Sequence, residues 1–332
     1  MLVFLFCGAM LAQSSAAASL MRLVATIPLP GVSGRIDHLA VDATHRRLFL
    51  AAFGNNSVEV IDLAQNRRSA RIEGLAEPQG VLFRSEHLYI TIGGASALAV
   101  VNGGDLTNIR EIATKEDPDN IRSEAGAERI WIGAGAGRRA ALVAIRSDDP
   151  EVLFEIALDA HPESFQLEAR GPRVFVNVPG KQEVEVLDRE RRNVVTRWKL
   201  SCAANFPMAL DEDQKRLYVA CRRPARFLAL DTETGRVVAE VECPADADDI
   251  FLDPAAGRIY VSAGEGLVRT YIRREGDRLE VAGDVATGSG ARTSFFDAGP
   301  LLLYVAVPSR GNAAAQIQVL DTSEQRRTVS PQ

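Results

Sequence analysis

Seven short stretches of the chain carry polar or conformationally rigid residues at a recurrent spacing. They are Asp37-His38, Pro78-Gln79, Asp119-Asn120, Pro162-Glu163, Phe206-Pro207, Asp248-Asp249 and Arg292-Thr293. Successive stretches lie roughly 40–44 residues apart. Arg122 and His161 flank two of them. Gathered in one place, these groups could do two kinds of chemistry. Carboxylates, an amide and an imidazole, from His38, Asn120, Glu163, Asp248 and Asp249, can ligate a divalent ion that polarises a carbonyl and activates water. Alternatively Arg292 can grip a carboxylate or phosphate through two oxygens, while the acids and amides order a polar ligand around it. A solvated opening would also be hydrophilic without binding anything. Phe206 and the rigid Pro162 and Pro207 exceed what a wet lining requires.

No stronger catalytic signature competes. The chain has no HExxH pair, GxSxG elbow or Walker loop. Gly133-Ala134-Gly135-Ala136-Gly137 follows an apolar run, but another such run comes next and no helix begins, so it does not read as a dinucleotide loop. Paired arginines such as Arg67-Arg68 and Arg191-Arg192 are scattered among acids. With a net charge of −6 they read as solvated surface, which excludes a nucleic-acid stripe.

The elements that must position these residues form a repeat. Arg47-Leu48-Phe49-Leu50 returns as His87-Leu88-Tyr89-Ile90, Arg129-Ile130-Trp131-Ile132, Arg173-Val174-Phe175-Val176, Arg216-Leu217-Tyr218-Val219, Arg258-Ile259-Tyr260-Val261 and Leu302-Leu303-Tyr304-Val305. Each run is apolar without alternation, the pattern of a strand covered on both faces. A second apolar run precedes each, as in Met208-Ala209-Leu210-Asp211, with a turn between them. Two more follow, as in Phe227-Leu228-Ala229-Leu230 and Val237-Val238-Ala239. Four antiparallel strands per repeat and seven repeats predict an all-β, seven-bladed β-propeller. The first strands of the blades line the central channel, so the polar stretches that open them converge at one mouth. His45 and His87 fall in turns at the other end of those strands.

Leu20–Pro28 reads like a fourth strand with no blade before it, and the last repeat ends on a third strand near Ile317–Asp321. The N-terminal strand is therefore expected to complete the last blade and close the ring. Residues 1–18 stand outside the repeat. Their apolar run ends in Ala16-Ala17-Ala18, the form of a signal peptide cut near Ala18, and it is too short to span a membrane. No basic residue precedes the run. The expected organisation is a signal peptide over 1–18 and one propeller over 19–332, in a periplasmic or secreted protein.

Cysteines are few: Cys7, Cys202, Cys221 and Cys243. The last three fall in loops expected on one face. One disulfide with an odd thiol, free buried thiols, or a metal site lacking the usual short CxxC spacing all fit. If a disulfide forms, the candidate pair is Cys221 with Cys243.

The repeat resembles the YVTN-repeat β-propeller family, in particular its exported YncE-like bacterial members. The resemblance covers about residues 20–325 by repeat period. It rests on Leu217-Tyr218-Val219-Ala220, Ile259-Tyr260-Val261-Ser262 and Leu303-Tyr304-Val305-Ala306, and on third strands such as Leu228-Ala229-Leu230-Asp231-Thr232. His161-Pro162-Glu163-Ser164-Phe165 and Asp246-Ala247-Asp248-Asp249 are also similar to that family, although no copy reads Tyr-Val-Thr-Asn. The resemblance implies a seven-bladed periplasmic propeller and little about activity, because such folds host binding proteins, lactonases and dehydrogenases alike.

The leading expectation is a binding protein that holds a small polar ligand or a partner's loop at the channel mouth, through His38, Gln79, Asn120, Arg122, His161, Glu163, Phe206, Asp248, Asp249 and Arg292. The alternatives are a metal-assisted, lactonase-like hydrolase and a structural module of an envelope assembly. The metal-ligand candidates are His38, Glu163, Asp248 and Asp249.

Overall fold

Apolar runs too short for a helix and rich in β-branched residues leave the chain one way to bury them: pair as strands and stack the sheets. The computed structural model describes residues 20–107 and 110–323. Among these residues the strands form seven four-stranded antiparallel sheets, each with its strands side by side in chain order except where the ring closes. The sheets are the blades of a β-propeller. Blade 1 comprises Leu39–Asp42, Arg47–Ala52, Ser57–Asp62 and Arg67–Glu73, and the others repeat that plan. Among the described residues helical structure is limited to single 3-10 turns, and no helix is long and apolar enough to cross a membrane. The expected signal peptide lies outside the described residues.

The second strand of each blade is the buried one. Leu48–Ala52, Leu88–Ile92 and Val174–Val178 are shielded on both faces, because each blade is sandwiched between two neighbours. The repeated aromatics Phe49, Tyr89, Trp131, Phe175, Tyr218, Tyr260 and Tyr304 all lie in this layer and are buried. Fourth strands form the rim, where Val195 and Val281 remain exposed.

Ring closure takes the expected form. Arg22–Pro28 pairs antiparallel with Gln316–Asp321, from Arg22 opposite Asp321 to Pro28 opposite Gln316, with one register shift between Leu23 and Ala25. The last blade therefore takes Ser294–Asp297, Leu302–Val307 and Gln316–Asp321 from one end of the chain and its outer strand from the other. Ile27 and Leu29 are fully buried against Tyr304, Ile317 and the first blade's Leu48 and Leu50.

The cysteine pairing is a correction. Cys202 is bonded to Cys221, with Cα atoms 5.9 Å apart, and Cys243 is free and buried. Ala203–Asp211 and Arg216–Arg223 are adjacent strands of blade 5, with Ala203 opposite Arg223 and Asn205 opposite Cys221. That pairing brings Cys202 beside Cys221. Cys243 follows the fourth strand, Val237–Glu242, which the third strand separates from the second. Two strand spacings amount to about 9–10 Å, beyond disulfide reach.

Candidate functional site

In blades 1, 3, 4 and 7 the first strands are short, and residues ahead of them already pair with the second strand. Asp37 N–H donates to Ala51 O and Ala51 N–H to His38 O, at 2.8 and 3.0 Å. Asp119 and Asn120 pair with Gly133 in the same way, as Glu163 and Ser164 do with Asn177. Blades 2, 5 and 6 carry register shifts at this same end, between Pro78 and Val81, Asn205 and Met208, and Ala247 and Asp249. Such irregularities re-aim side chains and are frequent beside functional sites. One close approach is tight enough to require glycine: an added Cβ at Gly80 would collide with the Asp119 carbonyl oxygen.

The result is a cavity of about 480 Å³ at the channel mouth. Of the residues expected there, His38, Gln79, Asn120, His161, Glu163, Phe206, Asp248 and Arg292 line it. Arg122 and Asp249 sit deeper. They line a second cavity, also about 480 Å³, that runs down the lumen between apolar side chains such as Val81, Met208, Ile250 and Phe295. His38 and Ser164 border both chambers. Thr293 is buried against the Ile36 carbonyl and lines neither. His45 bonds to Asp42 in the turn at the far end of blade 1's first strand, away from the mouth.

Sequence reasoning missed several mouth residues: Arg35, Asp37, Asp119 and Arg222. The pairing segment ahead of Leu39 and Ile121 is not regular strand, so both members of Asp37-His38 and of Asp119-Asn120 line the cavity. Arg222 arrives differently. The second strand of blade 5 runs long, to Arg223, and carries it over the mouth.

The charges divide into two groups. On one side Arg222 binds Asp246 at 2.9 Å and also Asp248, while its Nε donates to Ala247 O at 3.0 Å. Its guanidinium lies 3.9 Å over the Phe206 ring, a cation–π contact. Arg292 grips the same two acids, at 3.2 Å to Asp246 and 2.9 Å to Asp248. Phe206 is held from behind, since Asn177 Nδ2 donates to the Phe206 and Pro207 carbonyls and Asn205 Nδ2 to Asn177 Oδ1. Deeper, Asp249 accepts the Ser294 N–H at 2.7 Å. Asp248 and Asp249 therefore already have partners.

On the other side the acids outnumber the bases. Arg35 pairs with Asp37 at 2.6 Å. The His38 Nε2 stands 3.8 Å from Asp37 Oδ1 and 3.7 Å from Asp119 Oδ1, too long for hydrogen bonds. Asp119 Oδ1 and Asn120 Oδ1 are buried and accept no hydrogen bond within the protein. Burial raises the pKa of Asp37 and pushes that of Asp119 well above the usual carboxylate range, and in Asp119 the charges of Asp37 and Glu163 add to it. Glu163 touches the cavity yet lies deep within the mouth. Its burial, with Asp248 and Asp37 nearby and only partly offset by Arg222 and Arg35, raises its pKa to about 8. Burial, aided by Arg122, lowers His38 to about 4.

These shifts give stability a pH dependence. Glu163 holds its proton more tightly when folded. Its contribution is complete below its unfolded value of about 4.5 and is lost as pH rises to about 8. His38 runs the other way: its contribution is complete above 6.5 and is lost as pH falls towards 4. Between pH 6.5 and 8 only the carboxyl effect acts. In buffer with a chelator, the urea midpoint should fall across that window, and Glu163→Gln should flatten the slope. A wild-type midpoint that rises or stays level there would contradict the buried, crowded state of Glu163.

No protein-family model matches the chain, and no curated protein matches it by sequence. Solved structures do match. A structure described as Kuenenia stuttgartiensis hydrazine synthase is 15% identical with a TM-score of 0.72, over 85% of this chain and 98% of that one. U3-55K is 10% identical with a TM-score of 0.75, over 91% and 98%. A chain of the mitotic checkpoint complex is 12% identical with a TM-score of 0.74, over 96% and 98%. At such identities the likeness is one of fold, the β-propeller, and says nothing of the mouth residues.

Proposed function

We propose that this chain is an exported, YncE-like propeller that binds a small polar ligand at its channel mouth. The observation that carries the reading is the pair of partnerless buried oxygens, Asp119 Oδ1 and Asn120 Oδ1, on residues that line the mouth cavity. Leaving such acceptors unsatisfied costs about 1–3 kcal/mol each, more for a charged group. A ligand that offers donors or positive charge recovers that cost. The volume suits a small molecule. Across the cavity, Arg292 and Arg222 are fixed by the acids they share, so they are preorganised to orient an acceptor on the same ligand.

A thermal-shift screen of small amines, amino acids, sugars and polyols, followed by calorimetry on the hits, tests this. Glu163→Gln and Arg292→Ala should each weaken a genuine hit by about 1.5–3 kcal/mol, roughly ten- to a hundredfold. His45→Ala and His87→Ala should leave it unchanged. Hits that respond only to the histidine variants would move the site to the other end of the channel.

Export is part of the proposal. The run ending at Ala18 supports it, and the Cys202–Cys221 disulfide suits an oxidising compartment. Native protein should begin at or near Ser19, and N-terminal sequencing that returned an intact Met1 would overturn export.

A further inference from the structure

The acid-rich side of the mouth has the composition of a metal centre. The ligand atoms of Asp37, His38 and Asp119 all lie within 4.8 Å of one another, and so do those of Asp119, His161 and Glu163. Asp119 belongs to both sets. Donors bound tetrahedrally at about 2.0–2.2 Å from an ion stand roughly 3.3–3.6 Å apart. The His38 Nε2 contact to Asp119 Oδ1, at 3.7 Å, needs almost no contraction to reach that spacing.

We propose that the channel mouth binds a first-row divalent cation of the zinc class, seated on Asp119 and held by Asp37 and His38 on one side and by His161 and Glu163 on the other. The inference deepens the ligand-binding reading and rests on it only for the location of the site.

Three observations favour an ion over a hydrogen-bonded structural cluster. First, Asp119 lines the cavity, and its buried Oδ1 has no hydrogen-bond partner, which a structural carboxylate would have. Second, His161 has one ring nitrogen engaged: its Nδ1 lies 2.8 Å from the Gly135 carbonyl, which can only accept, so Nδ1 is the donor in that bond and Nε2 is the ring nitrogen available to a metal. Third, the arginines divide the acids. Asp248 is occupied by Arg222 and Arg292, whereas in the two triads only Asp37 has an arginine within ion-pair distance, Arg35. Two imidazoles among carboxylates select zinc or a neighbouring transition metal over calcium or magnesium, which prefer oxygen alone. Sequence reasoning placed the metal on His38, Glu163, Asp248 and Asp249; the geometry keeps the first two and replaces the last two with Asp37, Asp119 and His161.

The test uses the full mature chain, stripped with a chelator and titrated with Zn²⁺ and with Mn²⁺ by calorimetry, with bound metal counted by elemental analysis. Wild type should take up at least one equivalent and gain thermal stability. Asp119→Asn, which removes the shared ligand, should weaken binding by about a hundredfold or more, and His161→Ala by at least about tenfold. His87→Ala should bind as wild type does. If Asp119→Asn fails to fold, His38→Ala and His161→Ala carry the same expectation. Failure of the wild type to bind either ion would overturn the inference. So would uptake that survives every mouth variant but is lost in Glu183→Gln, which would place it at the acidic cluster of Asp159, Glu183 and Glu185. A small-molecule hit on protein that takes up neither ion would leave the ligand-binding reading standing and remove only the metal.

Discussion

A chain that begins at residue 30 is expected to lose at least several kcal/mol of stability and to associate or unfold at ordinary temperature. The missing strand, Arg22–Pro28, supplies the outer strand of the last blade, and its pairing with Gln316–Asp321 ties the two ends of the chain together. Its loss uncovers the ladder edge of Gln316–Asp321, an unpaired template for another chain. It also removes Ile27 and Leu29 from the core shared by the last and first blades, and Met21 from the core shared by the sixth and seventh. Each such side chain, cut to alanine in place, costs about 2–5 kcal/mol. Domain stabilities are only about 5–15 kcal/mol, so the sum leaves little margin. Ile27→Ala, which leaves the strand in place, provides the quantitative version: about 2–5 kcal/mol by urea denaturation. A truncated chain that stays monomeric with an unchanged melting temperature would show that the ring does not depend on this closure.

The fold was legible because its cause is periodic. Each second strand must be apolar on both faces, so Leu48-Phe49-Leu50 and Ile259-Tyr260-Val261 announce themselves, and their spacing gives the blade count. The orphan strand within residues 20–28 and the incomplete last repeat are complementary remainders, which is why closure is legible in the sequence. The site was legible only as a location. Topology brings the openings of the first strands to one mouth whatever their side chains. Which atoms meet there depends on bulges and on backbone beyond the regular strand, and neither leaves a periodic trace. Asp37 and Asp119 are adjacent to the expected residues His38 and Asn120, and both members of each pair reach the mouth because the backbone there is not regular strand. The disulfide failed for a related reason. Loops on one face are many, and only the register of Ala203 opposite Arg223 distinguishes Cys202 from Cys243 as the partner of Cys221.

Arg222→Ala is expected to cost about 3 kcal/mol, the lower end of the loss when one partner of a buried ion pair is removed. The lower end applies because Arg292 still covers Asp248, and because Asp246 is partly exposed and screened by solvent. The loss has three physical parts. Asp248, already driven towards protonation by burial, loses one of its two cations. The Ala247 carbonyl loses the Nε donor. Phe206 loses the guanidinium stacked on its face. Arg222→Lys retains the charge but cannot reproduce the fork or the stacking, so it should fall between wild type and alanine. Adding Asp248→Asn to Arg222→Ala removes the carboxylate left short of charge, so the double variant should be less destabilised than the two single losses combined. Urea denaturation of the wild type, the three single variants Arg222→Ala, Arg222→Lys and Asp248→Asn, and the double variant at pH 7 measures all of this. If Arg222→Ala changed stability by less than about 0.5 kcal/mol, as a surface substitution does, the acids beside it would be solvated. The wall that orients Arg292 and Phe206 towards the ligand would then not be preorganised, and the proposed binding site would lose its rigid side.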